Sequence, residues 1–137
     1  MLADLMIERI GADAPERPEL IVAVPLHVSR LRERGYNQAF ELARPLARAA
    51  GIPIARDLLA RDRATPAQTG LDAAARRRNL RGAFGVSRSA TIPRHVALFD
   101  DVMTTGATVR ECARVLRRAG VARVDVWALA RAPQRRA

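Results

Sequence analysis

Asp100 and Asp101, two adjacent carboxylates, close the apolar run Val96-Ala97-Leu98-Phe99. After Val102 and Met103 come Thr104-Thr105-Gly106-Ala107-Thr108. The free backbone N–H groups of Thr105 to Thr108 are expected to converge on a phosphate at the positive end of the helix that follows. Gly106 has no Cβ to obstruct an approaching anion, and the threonine hydroxyls add donors. Two carboxylates would repel that phosphate. Their chemistry therefore lies further along the same ligand, accepting hydrogen bonds from sugar hydroxyls. A plain helix-capping turn would use the same threonines and glycine, but adjacent acids at fixed distance before Thr-Thr-Gly-x-Thr form a rarer pattern and favour a ligand.

These residues need a frame. The run 96–99 reads as a buried parallel strand, with Pro93 before it. Thr108 and Glu111 have the spacing of a capping box, and Val109, Cys112, Ala113 and Leu116 mark one apolar helical face. Gly120 is the expected stop of that helix. Strand, loop and helix in this order put the loop at the carboxyl end of the strand, where an open α/β sheet binds its ligand. Upstream, residues 20–25 read as the first core strand, and Arg30 to Ala50 as a long helix with a break near Arg44 imposed by Pro45. Residues 52–54 form a short strand, 62–82 are polar and charged, 83–86 form a brief strand and 124–130 the closing one. At the start, Leu2, Leu5, Met6 and Ile10 fall at helical spacing, which predicts an amphipathic helix. Strands alternating with helices give an α/β fold, a central parallel sheet flanked by helices.

The 96–108 segment resembles the phosphoribosyl pyrophosphate (PRPP) motif of type I phosphoribosyltransferases. The resemblance implies that Asp100 and Asp101 hold the ribose hydroxyls and that Thr104, Thr105, Gly106, Ala107 and Thr108 bind the 5′-phosphate. Val24-Pro25-Leu26-His27, Arg34-Gly35-Tyr36-Asn37-Gln38, Gln68-Thr69-Gly70-Leu71, and then Arg76, Asn79 and Ala83-Phe84 resemble one branch of that superfamily. It is the ComF (competence protein F) family of predicted amidophosphoribosyltransferase-like proteins. This likeness runs from about residue 20 to residue 131. It implies a pyrophosphate contact from Pro25, Leu26, His27 and Arg34, and a mobile loop over 66–79 that closes on the reacting centre through Gln68 and Arg76. Asn37 and Gln38 are placed to orient Arg34 or the ribose, and Tyr36 reads as core. The activity implied is transfer of a 5-phosphoribosyl group from PRPP, with Mg²⁺ carried mainly by PRPP, to an unidentified nitrogen nucleophile with release of pyrophosphate. The alternative implied is a non-catalytic accessory protein for DNA uptake. It would keep the nucleotide pocket and contact single-stranded DNA or a competence helicase. Longer ComF proteins resemble zinc-ribbon fusions, and no paired cysteines precede the domain here.

Composition sets the outer limits. The 137 residues are expected to form one phosphoribosyltransferase-like domain. Hydrophobic content of 49% excludes a disordered chain, while no apolar run approaches the ~20 residues of a membrane span. Without a signal-peptide pattern, a cytoplasmic location is expected. The single cysteine, Cys112, cannot form an internal disulfide and reads as a small buried hydrophobe. The net charge is +10, with arginine supplying every cation except the two histidines, which suits polyphosphate or nucleic acid. Aromatic content of only 4% argues against an aromatic stacking platform for single strands.

Overall fold

In a computed structural model the residues described are 6–10, 17–26, 28–61, 74, 80–88, 90–103 and 105–131. The expected fold class is what they show. The strands are β1 (Met6–Ile10), β2 (Leu20–Ala23), β3 (Ile54–Ala55), β4 (Leu59–Arg61), β5 (Phe84–Val86), β6 (His95–Met103) and β7 (Arg123–Arg131). The helices are α1 (Val28–Arg34), α2 (Gln38–Ala50) and α3 (Ala107–Arg118). Five strands share one sheet in the order β1-β7-β6-β2-β3. The four from β7 to β3 run parallel, and β1 lies antiparallel on the outside of β7.

The period of two along each strand sorts the apolar residues onto the two faces of the sheet. Val96 and Leu98 of β6 pack with Val109, Cys112, Ala113 and Leu116 of α3. Ala97 and Phe99 face the other way and pack with Ala39, Phe40, Ala43 and Ala47 of α2. A strand buried on both faces must be apolar without interruption, which is why 96–99 is legible in the sequence. Phe99, Leu98 and Leu116 are fully buried, each stabilising the fold by roughly 1.5–3 kcal/mol of transfer energy.

Several local expectations are corrected. The start of the chain is strand, not helix: Met6–Ile10 pairs with β7 from Ala128 to Val124. An unpaired β7 edge offers a row of N–H and C=O groups, and satisfying them outweighs a weak helical pattern. Leu2 and Leu5 lie outside the described residues. The expected 30–50 helix is two helices, and the break falls at Gly35–Asn37 rather than near Arg44. Gly35 has φ 79°, and Asn37 starts α2 by accepting a hydrogen bond from the Phe40 N–H at 3.3 Å. Pro45 sits inside α2 at an exposed position, where the loss of the ladder bond to Glu41 that proline cannot make is least costly because the carbonyl is within reach of solvent. The 83–86 strand is β5, but it pairs with β4 in a separate antiparallel hairpin rather than with the central sheet.

At the amino end of the central strands a charged cluster is buried. His95 Nε2 lies 2.9 Å from Asp125 Oδ2, and Arg123 Nε donates to Asp125 Oδ1 at 3.1 Å. All three residues are at most 4% exposed. Among the described residues no helix is long and apolar enough to cross a membrane.

Candidate functional site

β6 runs past both acids to Met103, paired with β7 as far as Arg131. Asp100 and Asp101 therefore sit within the last turns of the strand pleat, not after it, and the sheet fixes their backbone. Asp101 donates its N–H to Asp100 Oδ1 at 2.9 Å. Asp100 is half-buried, and its carboxyl is pushed up to about 7. Burial is the main cause, followed by the hydrogen bond to the Asp101 side chain and the Asp101 charge, with the Asp101 N–H pulling the other way. Two carboxyls this close resist ionising together. Such a pair at a strand end marks a ligand site more often than a surface ornament.

The loop after β6 is held tightly. Gly106, with φ 80° and ψ 1°, is the residue from which α3 starts. The expected capping box does not form: α3 begins at Ala107, so Thr108 is already helical, and the Ala107 N–H is taken by Thr105 Oγ1 at 3.2 Å. Glu111 instead pairs with Arg114 and accepts from the Gly82 N–H, which holds its carboxyl below the usual range. A Cβ on Gly106 would meet nothing closer than 3.8 Å, so what demands glycine is the left-handed backbone and not the space. Replacing Gly106 by alanine is expected to lower stability by roughly 1–2 kcal/mol in urea denaturation. An unchanged midpoint would show that the loop can relax into another conformation.

The nearest side chains over Gly106 are Arg110 and Met103, whose Cζ and Sδ would each lie 3.8 Å from that added Cβ. Arg110 was not legible as a site residue, although its position four residues after the helix cap puts it on the loop side of α3. Arg61 lies over the Phe84 ring, 5.4 Å from its centroid. Its charge and that of Asp100 both act on buried Cys112, whose thiol is pushed far up, chiefly by burial. Cys112 is thus inert packing, as expected.

On the neighbouring strand, β2 pairs with β6 from Leu20–Val96 to Ala23–Phe99, and the Val24 N–H donates to the Phe99 carbonyl at 2.8 Å. Continuing that register brings Pro25 level with Asp101. Pro25 and Leu26 are half-buried there, whereas Arg34 ends α1 at an exposed position. Asn37 does not face a ligand: its Nδ2 donates to the Val24 carbonyl at 3.1 Å, tying α2 to the end of β2. Tyr36 is not core but 52% exposed. Thr104, His27, Gln68 and Arg76 lie outside the described residues, as does most of the 66–79 segment. Beside Pro25 and Leu26 opens a pocket of about 510 Å³, bounded also by Tyr36, Phe40 and Arg56.

No family model matches the chain. It is similar to competence protein F of Haemophilus influenzae, 46% identical over 117 residues, which are 84% of this chain and 51% of that protein. DNA utilization protein YhgH of Escherichia coli K12 is 43% identical over 114 residues, 83% of this chain and 50% of the relative. Competence protein ComFC of Streptococcus pneumoniae is 32% identical over 112 residues, 80% of this chain and 47% of the relative. The chain spans about half the length of these curated relatives. These similarities support a ComF-like protein.

Proposed function

We propose that this chain is a PRPP-binding domain serving DNA uptake or utilisation. The observation that carries it is the acid pair in the carboxyl end of β6 followed by the Gly106 loop at the start of α3. The 5′-phosphate sits on that loop, with Arg110 beside it, and the ribose hydroxyls donate to Asp100 and Asp101. The pyrophosphate lies toward Pro25 and Leu26. The described residues bring no three metal-ligating side chains together. A magnesium ion would take its ligands mainly from pyrophosphate oxygens and water, as hard cations beside phosphates do. The arginine-only charge of +10 favours contact with DNA phosphates outside this pocket, in keeping with the names of the relatives.

The second reading is phosphoribosyl transfer. Backbone dipoles, arginine and magnesium would stabilise departing pyrophosphate while a nitrogen nucleophile adds to the sugar carbon. Pyrophosphate release, measured with PRPP and a panel of bases and amines, separates turnover from binding alone.

The binding reading is tested by calorimetric titration with PRPP and Mg²⁺ across pH. Asp100 accepts from a hydroxyl far more strongly when ionised, and burial beside Asp101 pushes its carboxyl up to about 7. Affinity should therefore fall on acidification below that value, by up to about tenfold per pH unit. The free protein behaves oppositely. A carboxyl raised from 3.8 to about 7 favours the folded state while protonated, and that contribution fades as pH rises through 7. An affinity flat from pH 8 to pH 5 would remove Asp100 from the ribose contact.

A further inference from the structure

Pro25, Leu26 and Arg34 belong to one excursion of the chain, which leaves the sheet after Val24 and returns at Asn37. Among the described residues between those two, none belongs to either core cluster, and Leu31 and Tyr36 are exposed. Packing of the described residues therefore does little to place this stretch, and its root must do so. There the Val24 N–H donates to the Phe99 carbonyl at 2.8 Å, which keys Val24 to β6. The Val24 carbonyl accepts from Asn37 Nδ2 at 3.1 Å, thirteen positions away in sequence. The same side chain caps α2 by accepting from the Phe40 N–H at 3.3 Å. That helix is locked into the core through Ala39, Phe40, Ala43 and Ala47. One amide thus joins the root of the excursion to a buried helix.

The consequence is torsional. A peptide unit is planar, so a carbonyl held in one direction also holds ψ of Val24 and the unit as far as the Pro25 nitrogen. The proline ring then holds φ at about −65°. Between the sheet and the Leu26 N–H, ψ of Pro25 is the one torsion left free. That N–H is the first amide donor beyond Val24, because proline has none, and oriented backbone amides are a usual means of holding phosphate oxygens. We infer that Asn37 is the positioning residue of the pyrophosphate contact: it touches no ligand, and aims the Leu26 N–H by holding the Val24 carbonyl. Only a side chain with both a donor and an acceptor can serve the carbonyl and the helix cap together, which aspartate cannot. The ribose and 5′-phosphate contacts stand on β6 and α3, outside this tie, so only the pyrophosphate half should depend on it. The inference rests on the PRPP reading for what Leu26 meets, but not for the tie itself.

Asn37→Ser separates the two roles, since serine caps a helix about as well as asparagine but is too short to reach the Val24 carbonyl. Calorimetry with Mg²⁺ should find PRPP bound about tenfold more weakly by this variant. Ribose 5-phosphate, which lacks the pyrophosphate, should stay within about twofold of its wild-type affinity. Hydrogen exchange at the Leu26 amide should be about tenfold faster in the free variant. Asn37→Ala loses the cap as well, so its urea midpoint should fall below that of Asn37→Ser. The ratio of PRPP to ribose 5-phosphate affinity should nevertheless match in the two variants. A merely structural role would weaken both ligands alike. Equal weakening of both by Asn37→Ser, wild-type PRPP affinity, or unchanged Leu26 exchange would overturn the inference while the PRPP reading stands. Failure of the wild-type protein to bind PRPP would overturn that reading, and the pyrophosphate assignment would fall with it.

Discussion

Asp100→Asn combined with Asp101→Asn is expected to abolish measurable PRPP binding while the protein remains folded. On the proposed reading each carboxylate accepts at least one sugar hydroxyl, and hydrogen bonds to a charged group contribute roughly 1.5–3 kcal/mol. The pair together should weaken binding by several kcal/mol, or two to four orders of magnitude. The fold should not suffer, because neither carboxylate fills the core: both are half-buried, at the end of a strand whose apolar residues are untouched. Removing one of two crowded carboxylates even relieves the repulsion that raises Asp100. Calorimetry on the double variant, with circular dichroism to confirm folding, decides the matter. Wild-type affinity in a folded double variant would sink the ribose assignment.

Asp125→Ala should do the reverse, destabilising the fold and leaving ligand recognition intact. Among the described residues Asp125 is the carboxylate paired with the buried Arg123 guanidinium, and it also accepts from His95. Truncation leaves an arginine charge at 4% exposure with no anion beside it among the described residues. Breaking a buried pair from one side costs about 3–5 kcal/mol, a large share of the 5–15 kcal/mol by which domains are stable. Asp125→Asn keeps the shape and an acceptor oxygen and should cost less. The cluster sits five residues up β6 from Asp100, about 16 Å along the strand. PRPP affinity of the folded fraction should thus stay near wild type. A urea midpoint shift equivalent to less than about 1 kcal/mol would mean that water replaces the carboxylate.

What the sequence made legible follows from how local each signal is. The β6–loop–α3 unit could be read because its strand is apolar on both faces and its helix is apolar at the usual spacing, and both patterns lie within consecutive residues. The capping box could not be judged from spacing alone, because Glu111 finds a better partner in Arg114 and the Gly82 N–H. Pro45 looked like the stronger helix breaker, yet exposure lets a helix tolerate it. Gly35 at positive φ, followed by the Asn37 cap, ends one helix and starts the next. The strand character of Met6–Ile10 depends on a β7 edge that lies more than a hundred residues away in sequence. The pocket is least legible of all, since its walls come from four separate stretches between Ala23 and Arg61.

The sheet order carries a consequence for how the chain is made. β2 pairs with β3 on one side, close in sequence, but on the other side with residues 96–99 of β6. A ribosome delivers the amino end first, so β2 emerges with one flank satisfied and waits for most of the chain before its second partner exists. Leu20–Ala23 is apolar, and such a half-paired strand is a surface on which nascent chains associate. The β6–α3–β7 segment has no such delay, because its two strands are joined by a single helix and close over a short loop. Synthesis therefore completes the half of the candidate site that carries the acid pair and the Gly106 loop as one late, self-contained unit. The half beside Pro25 acquires its shape only when that unit docks.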